Sequence, residues 1–166
     1  MGPLLLVDVD GPLNVWGASG RPAAFVEHRW RVSWRRRRGA WLDPSHGPRL
    51  LRVAAEVGAE LAWCTTWEED ANRFVGPALG LPPLRVVGLR AWEGRSDWKF
   101  PAVGRFAAGR PLAWLDDDFG LFPAARDRFV ARRREPTVLV DVDPAVGVTD
   151  ADLAAVVAGL GRTEQG

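Results

Sequence analysis

Asp8 and Asp10 leave the end of a short apolar run two residues apart, and Gly11 follows at once. The run itself, Leu4-Leu5-Leu6-Val7, reads as a buried strand. Paired carboxylates in that place can hold a divalent cation and set one carboxylate beside a second that handles protons. A second acidic stretch, Asp116-Asp117-Asp118, follows Trp114-Leu115, again at the end of an apolar run. Mg2+ takes oxygen ligands in octahedral geometry and keeps several waters, so one carboxylate from each of two neighbouring strands meets its need. The ligand in the second stretch stays open between Asp116 and Asp117. Either stretch alone would also suit a solvated acidic loop; two of them at strand ends make a site pattern.

Trp63-Cys64-Thr65-Thr66-Trp67-Glu68-Glu69 supplies hydroxyls at a third strand end. Thr66 with Glu69 three residues on matches a capping box, which makes Thr66 the expected helix N-cap and leaves Thr65 at the strand tip. A hydroxyl beside the free N–H groups of a helix start can hold a phosphate oxygen. The plainer alternative is two threonines that only cap. Glu68, Glu69 and Asp70 would repel a phosphate they faced and are expected to point away. Among 22 basic side chains Lys99 is the sole lysine, all others being arginine. A compact point charge on a flexible stem serves where a wide planar fork does not. An ammonium about 4 Å from a phosphate or carboxylate charge is worth roughly 4 kcal/mol at an effective dielectric near 20.

Together these stretches resemble the four motifs of the haloacid dehalogenase-like phosphatases. Asp8-Val9-Asp10-Gly11-Pro12-Leu13-Asn14 follows the first, Asp-x-Asp-Gly-x-Leu/Val-Asn; Thr65 matches the second, Lys99 the third and Asp116-Asp117 the fourth. The match runs from residue 4 to about residue 120 and looks like a member without a large cap. Trp-x-Thr-Thr-Trp and Trp-Leu-Asp-Asp-Asp are similar to small proteins of this family from high-GC bacteria and to its domains in RNA repair proteins. Two departures stand out: Pro12 in the loop after the first motif, and three aspartates in the fourth. The resemblance implies a Mg2+-dependent phosphohydrolase of phosphate monoesters that works through an aspartyl-phosphate. Asp8 would be the nucleophile and Asp10 the general acid and base, with Thr65 and Lys99 on the phosphate. Mg2+ would be held by Asp8, the Asp10 carbonyl and Asp116 or Asp117, and Asn14 and Thr66 would lie at the substrate side.

Those residues need a frame to bring them together. Five apolar runs, Leu4–Asp8, Glu60–Cys64, Leu84–Val87, Leu112–Leu115 and Val138–Val140, read as strands buried on both faces. Helical patterns lie between and after them: one opened by Asp43 as N-cap with Pro44 first and stopped by Gly58, one over Trp67–Val75, then Pro101–Ala108, Ala124–Arg134 and Asp150–Leu160. Alternating strands and helices predict an α/β fold, a Rossmann-like open parallel five-stranded sheet in the order 3-2-1-4-5. Ligands bind such sheets at the carboxyl ends of strands where the order reverses, which is where both acidic stretches would meet. Residues 1–160 form one domain, with a frayed tail over Gly161–Gly166.

Residues 15–42 interrupt the alternation as a β-hairpin flap after the first strand. Trp30, Val32 and Trp34 share one face of it and Arg29, Arg31 and Arg35 the other, with a turn at Arg36-Arg37-Arg38-Gly39 and a return through Ala40-Trp41-Leu42. The apolar face should pack on the body, leaving arginines that could contact a polynucleotide backbone or simply be solvated. Trp16, Trp67 and Trp98 flank the motifs and could stack on a base or serve as ordinary packing. Trp63 and Trp114, inside strands, are expected in the core.

With 22 basic and 21 acidic side chains, net +1, the chain has no general pull on nucleic acid or membranes, so such binding needs a local patch. Lone Cys64 makes no internal disulfide, and no run approaches a membrane span or a signal-peptide core, which together predict a cytoplasmic protein. The partner expected is a phosphorylated small molecule or nucleotide, or a nucleic-acid end. Val140-Asp141-Val142-Asp143 repeats the first motif's opening, but Pro144 comes next and no later acidic or lysine partner does, so the first copy is preferred. Two non-hydrolytic functions also fit parts of the pattern. One is a phosphoacceptor like a response-regulator receiver, in which the lysine comes last, whereas here the acidic run follows Lys99. The other is a nucleic-acid-binding domain using the arginine-rich hairpin.

Overall fold

A computed structural model describes residues 2–92, 94 and 97–161. In chain order the elements are β1 (Leu4–Val7), β2 (Val26–Arg31), β3 (Arg37–Leu42), α1 (His46–Glu56), β4 (Glu60–Trp63), a wide π-type turn (Ala71–Val75), α2 (Gly76–Ala78), β5 (Arg85–Val86), a 3-10 turn (Arg90–Trp92), α3 (Phe100–Ala107), β6 (Leu112–Asp116), α4 (Pro123–Arg132), β7 (Thr137–Asp141) and α5 (Asp150–Leu160). β1, β4, β5, β6 and β7 form one parallel sheet in the order β5-β4-β1-β6-β7. The predicted order, with the first strand central, is the observed one. β2 and β3 make a separate antiparallel hairpin. Beyond Gly161 the predicted tail lies outside the described residues.

Continuous apolar runs arise because both faces of the sheet are covered. Leu5, Val7 and Trp63 face a core shared with Leu50 and Val53 of α1 and Leu153 and Val156 of α5. Leu4, Leu6, Leu112 and Trp114 face the other, with Phe100 and Val103 of α3 and Phe129 of α4. Leu4, Leu5 and Leu6 are fully buried, each worth about 2–3 kcal/mol of hydrophobic stabilisation. This double burial pins β1 in the middle, so its carboxyl end opens between the loops that follow β4 and β6.

Three local expectations shift. α1 begins at His46, not at Pro44, because the Asp43 carboxylate accepts the Ser45 N–H at 2.8 Å and turns the chain once more before the helix. The Thr66–Glu69 capping box does not form: Glu68 has a left-handed backbone (φ 47°), and Glu69 accepts instead from Asn72. In the hairpin the turn spans Val32–Arg36, because the Ser33 hydroxyl accepts the Arg36 N–H at 3.1 Å while Val32 and Ser33 donate to the Arg36 carbonyl. Gly39 therefore pairs with Arg29 in the ladder rather than turning the chain. Trp30 packs on the body against Trp67 and Phe74, but Trp34 sits in the turn, 78% exposed, with Arg35 stacked over it.

Candidate active site

Three strand ends deliver the site. Asp8 follows β1, Thr65 follows β4 through Cys64, and Asp116 closes β6. Lys99 arrives from the opposite direction, at the residue before α3, and is 1% exposed. Its ammonium donates to the Asp8 carboxylate and to Asp116 at 2.7 and 3.0 Å, and pairs with Asp118 at 3.3 Å. The Thr65 hydroxyl belongs to the same knot: it is fully buried, accepts the Trp67 N–H at 3.3 Å and works with Lys99 to lower the Asp8 pKa against its burial. Thr66 is exposed on the turn beyond.

Electrostatics follow from the count of charges. Burial works to lower the Lys99 pKa, yet the charges of Asp8 and Asp116 outweigh it and hold the ammonium well above its ordinary value. Burial raises Asp8 against the pull of Lys99, and burial with the charge of Asp8 raises Asp116 well above the usual carboxylate range. One ammonium thus serves two buried carboxylates, with Asp118 near it as well. Asp117, partly exposed, is pushed up to about 6 by desolvation and by Asp118. Ligand oxygens of Asp8, Asp116, Asp117 and Asp118 lie within 4.8 Å of one another. Four carboxylates against one cation leave a surplus of negative charge, which is the setting a hard divalent cation relieves.

The two adjacent aspartates differ. Asp116 is saturated: its oxygens take Lys99 twice, the Trp114 indole N–H at 3.0 Å and the Asp118 backbone N–H at 3.0 Å. Asp117 accepts the Trp16 indole N–H at 3.0 Å and is partly exposed. Gly11 makes its approach feasible, because a Cβ there would lie 2.4 Å from the Asp117 carboxyl carbon, and the Gly11 backbone (φ 87°) favours glycine.

Asp10 lies outside the four-carboxylate group, two residues beyond Asp8 and next to Gly11 in the chain. Asn14 donates to one of its oxygens at 2.7 Å and the Trp67 indole to the other at 2.8 Å. Trp98 donates to Asp118 at 3.2 Å. Four indoles thus aim N–H edges at four carboxylates. Trp67 is 4% exposed and lies beneath the Arg38 guanidinium, so it offers no platform for a base; Trp16, 63% exposed, keeps one. Trp63 and Trp114 are core as expected. Sequence reasoning placed Asp118 in the acidic stretch without giving it a role, and it missed the indole donors. Trp114 and Asp116, two apart on one strand, share a face, and that spacing was a usable signal.

The acidic residues that follow Trp67 are occupied away from the cluster. Glu68 accepts the Leu89 and Arg90 N–H groups, and Asp70 pairs with Arg36 at 3.0 Å. Arg29 pairs with Glu27, Arg31 is exposed and Arg35 stacks on Trp34, all on the hairpin and outside the carboxylate knot. Cys64 is buried, and burial lifts its thiol well above the ordinary value, so it stays protonated and is no nucleophile. A cavity of about 790 Å3 between α3 and α4, lined by Phe100, Phe129 and Arg128 among others, holds none of the clustered carboxylates. Among the described residues no helix is long and apolar enough to cross a membrane.

Neither a family model nor a curated protein matches the chain. Two solved structures resemble it distantly. A hypothetical protein from Xanthomonas campestris shares 17% identity at a TM-score of 0.49, covering 98% of this chain and 85% of its own. A Vibrio cholerae protein provisionally assigned as a 3-deoxy-D-manno-octulosonate 8-phosphate phosphatase shares 13% identity at a TM-score of 0.45, covering 99% of this chain and 88% of its own.

Proposed function

We propose that this protein is a Mg2+-dependent phosphohydrolase of phosphate monoesters, of the haloacid dehalogenase-like kind. One observation carries the proposal: a buried carboxylate at the end of the central strand, Asp8, lies against a buried lysine, a buried threonine and a cluster of further carboxylates. Asp8 attacks phosphorus in line; its oxygen–phosphorus bond forms as the bond to the ester oxygen breaks. Asp10 gives that oxygen its proton and later takes one from the water that cleaves the aspartyl-phosphate. Lys99 and Thr65 hold the remaining phosphate oxygens. Asp8, the Asp10 carbonyl and Asp117 would hold Mg2+, with Asp116 steering Lys99, and a cation held there would supply charge to offset and orient the phosphate.

The substrate class follows from the surroundings. Arg29, Arg31, Arg37 and Arg38 crowd around Trp30 and Gly39 on the hairpin, and Arg38 covers Trp67 beside Asp10. That cationic edge supports a nucleotide or a phosphorylated nucleic-acid end over a small sugar phosphate. A single buried thiol suits a reducing compartment, the cytoplasm.

Phosphate release from an aryl phosphate, measured with and without Mg2+, tests the activity. Release that needs Mg2+ supports it; none under either condition overturns it. A screen of 5′-nucleotides and 3′- or 5′-phosphorylated oligonucleotides then ranks substrates.

A further inference from the structure

We propose that Trp67 is a positioning residue for Asp10, and that the hairpin holds it in place. The inference rests on the phosphatase activity above and goes beyond it. Each Asp10 oxygen is gripped by a different donor, Asn14 Nδ2 at 2.7 Å and Trp67 Nε1 at 2.8 Å. Neither donor can swing freely. The Asn14 carbonyl accepts the Trp41 backbone N–H at 2.9 Å, which fixes which end of the amide faces Asp10. The Trp67 ring is buried beneath the Arg38 guanidinium at 4.3 Å and edge-on to Trp30 at 6.0 Å between centroids.

Its backbone is fixed as well. The Trp67 N–H goes to Thr65, and the next residue, Glu68, sits at φ 47° with its carboxylate bound to the Leu89 and Arg90 N–H groups. A left-handed Glu costs free energy and persists only where its surroundings over-determine it. Arg38 and Trp41 belong to β3 and Trp30 to β2. The hairpin therefore stands behind both clamps on Asp10.

With its N–H bonded to Asp10 and its ring buried beneath Arg38, Trp67 has no free edge to offer a substrate and would act through Asp10. An acid must lie within hydrogen-bond reach of the oxygen it protonates, and misplacement by about 1 Å can cost on the order of 10²-fold. The cost depends on the leaving group. A nitrophenolate leaves without a proton, whereas an alkoxide needs one. Loss of the clamp should thus cost an alkyl phosphate more than an activated aryl phosphate. kcat/KM isolates this effect, because it reports only the steps up to release of the alcohol.

Trp67→Phe keeps the ring and removes the N–H. On glycerol 2-phosphate its kcat/KM should fall by about tenfold or more, with KM near wild type, and on p-nitrophenyl phosphate by no more than about threefold. In an Asp10→Asn background the same change should add nothing, since residues acting as one unit are non-additive. Arg38→Ser, on the protein surface, should move the two esters in the same sense by a smaller factor. If Trp67→Phe proves unfolded by circular dichroism, Arg38→Ser carries the comparison. Equal losses on both esters, no loss on either, or full additivity with Asp10→Asn overturns the positioning role. A wild-type protein inert on both esters overturns the phosphatase activity and this inference with it, and so is told apart from a failure of the clamp alone.

Discussion

Val7-Asp8-Val9-Asp10 and Val140-Asp141-Val142-Asp143 are the same tetrapeptide at the carboxyl ends of two parallel strands, yet only one is enclosed by functional groups. β1 is flanked on both sides, by β4 and β6, so the loops bearing Thr65 and Asp116–Asp118 close over Asp8. β7 is an edge strand with β6 alone beside it. Asp8 is 5% exposed against Lys99, whereas Asp141 is exposed, and the Asp143 carboxylate is taken up by the Ala145 N–H at 2.8 Å. The residue after each copy matters as much: Gly11 lets the first loop meet Asp117, and Pro144 gives the second no such approach. A local motif becomes a site only where topology surrounds it.

The sharpest way to break this comparison is to neutralise each copy in turn. Asp8→Asn should reduce phosphate release below detection while Asp141→Asn leaves it near wild type; the reverse result would transfer the site to β7. Next in size is Lys99→Arg. The buried ammonium touches three carboxylates, and a wide guanidinium does not fit such a point, so steady-state turnover should fall by at least about 10²-fold. Retention of most activity would make the sole lysine an accident of composition.

A smaller effect concerns stability. Asp117, raised to about 6, carries its charge at neutral pH at a cost to the folded state. Because its folded pKa exceeds its unfolded one, metal-free protein gains stability from this group as pH falls through 6 toward 4. Mg2+ should therefore raise Tm clearly at pH 7.5 and little at pH 5. Asp117→Asn should stabilise the metal-free protein at pH 7.5 and shrink the Mg2+ shift, whereas Asp143→Asn in the second copy should do neither. An equal Mg2+ shift at both pH values, or in Asp117→Asn, contradicts the assignment. The smallest effect lies on the hairpin. Arg29, Arg31 and Arg35 changed to Ser should raise KM for oligonucleotide phosphates and flatten the salt slope by about 0.7–0.9 per lost contact, leaving aryl phosphate hydrolysis unchanged. Equal changes on both substrates remove the nucleic-acid end as substrate.

Apolar patterning made the sheet legible in advance, because doubly covered strands leave continuous apolar runs; the capping box of Thr149 and Asp152 that opens α5 went unread. The gathering of Asp8, Thr65, Lys99 and Asp116–Asp117 was legible for the same reason, since each sits at or just beyond a strand end or just before a helix. Features set by tertiary contacts were not. Whether Asp116 or Asp117 stays open depends on Trp114 and Lys99 saturating the former. The hairpin turn moved because one hydroxyl, on Ser33, turns the chain before the glycine is reached. Trp16, Trp67 and Trp98 read in sequence as packing aromatics or as faces to stack on, whereas the structure also uses their N–H edges, a choice that only packing decides.

Acid quenching of the protein during turnover of a phosphate monoester with Mg2+, followed by peptide mass mapping, tests the central claim most directly. A phosphoryl adduct should appear on the peptide that carries Asp8 and vanish in Asp8→Asn. An adduct on the peptide that carries Asp141, or its persistence in Asp8→Asn, would contradict it.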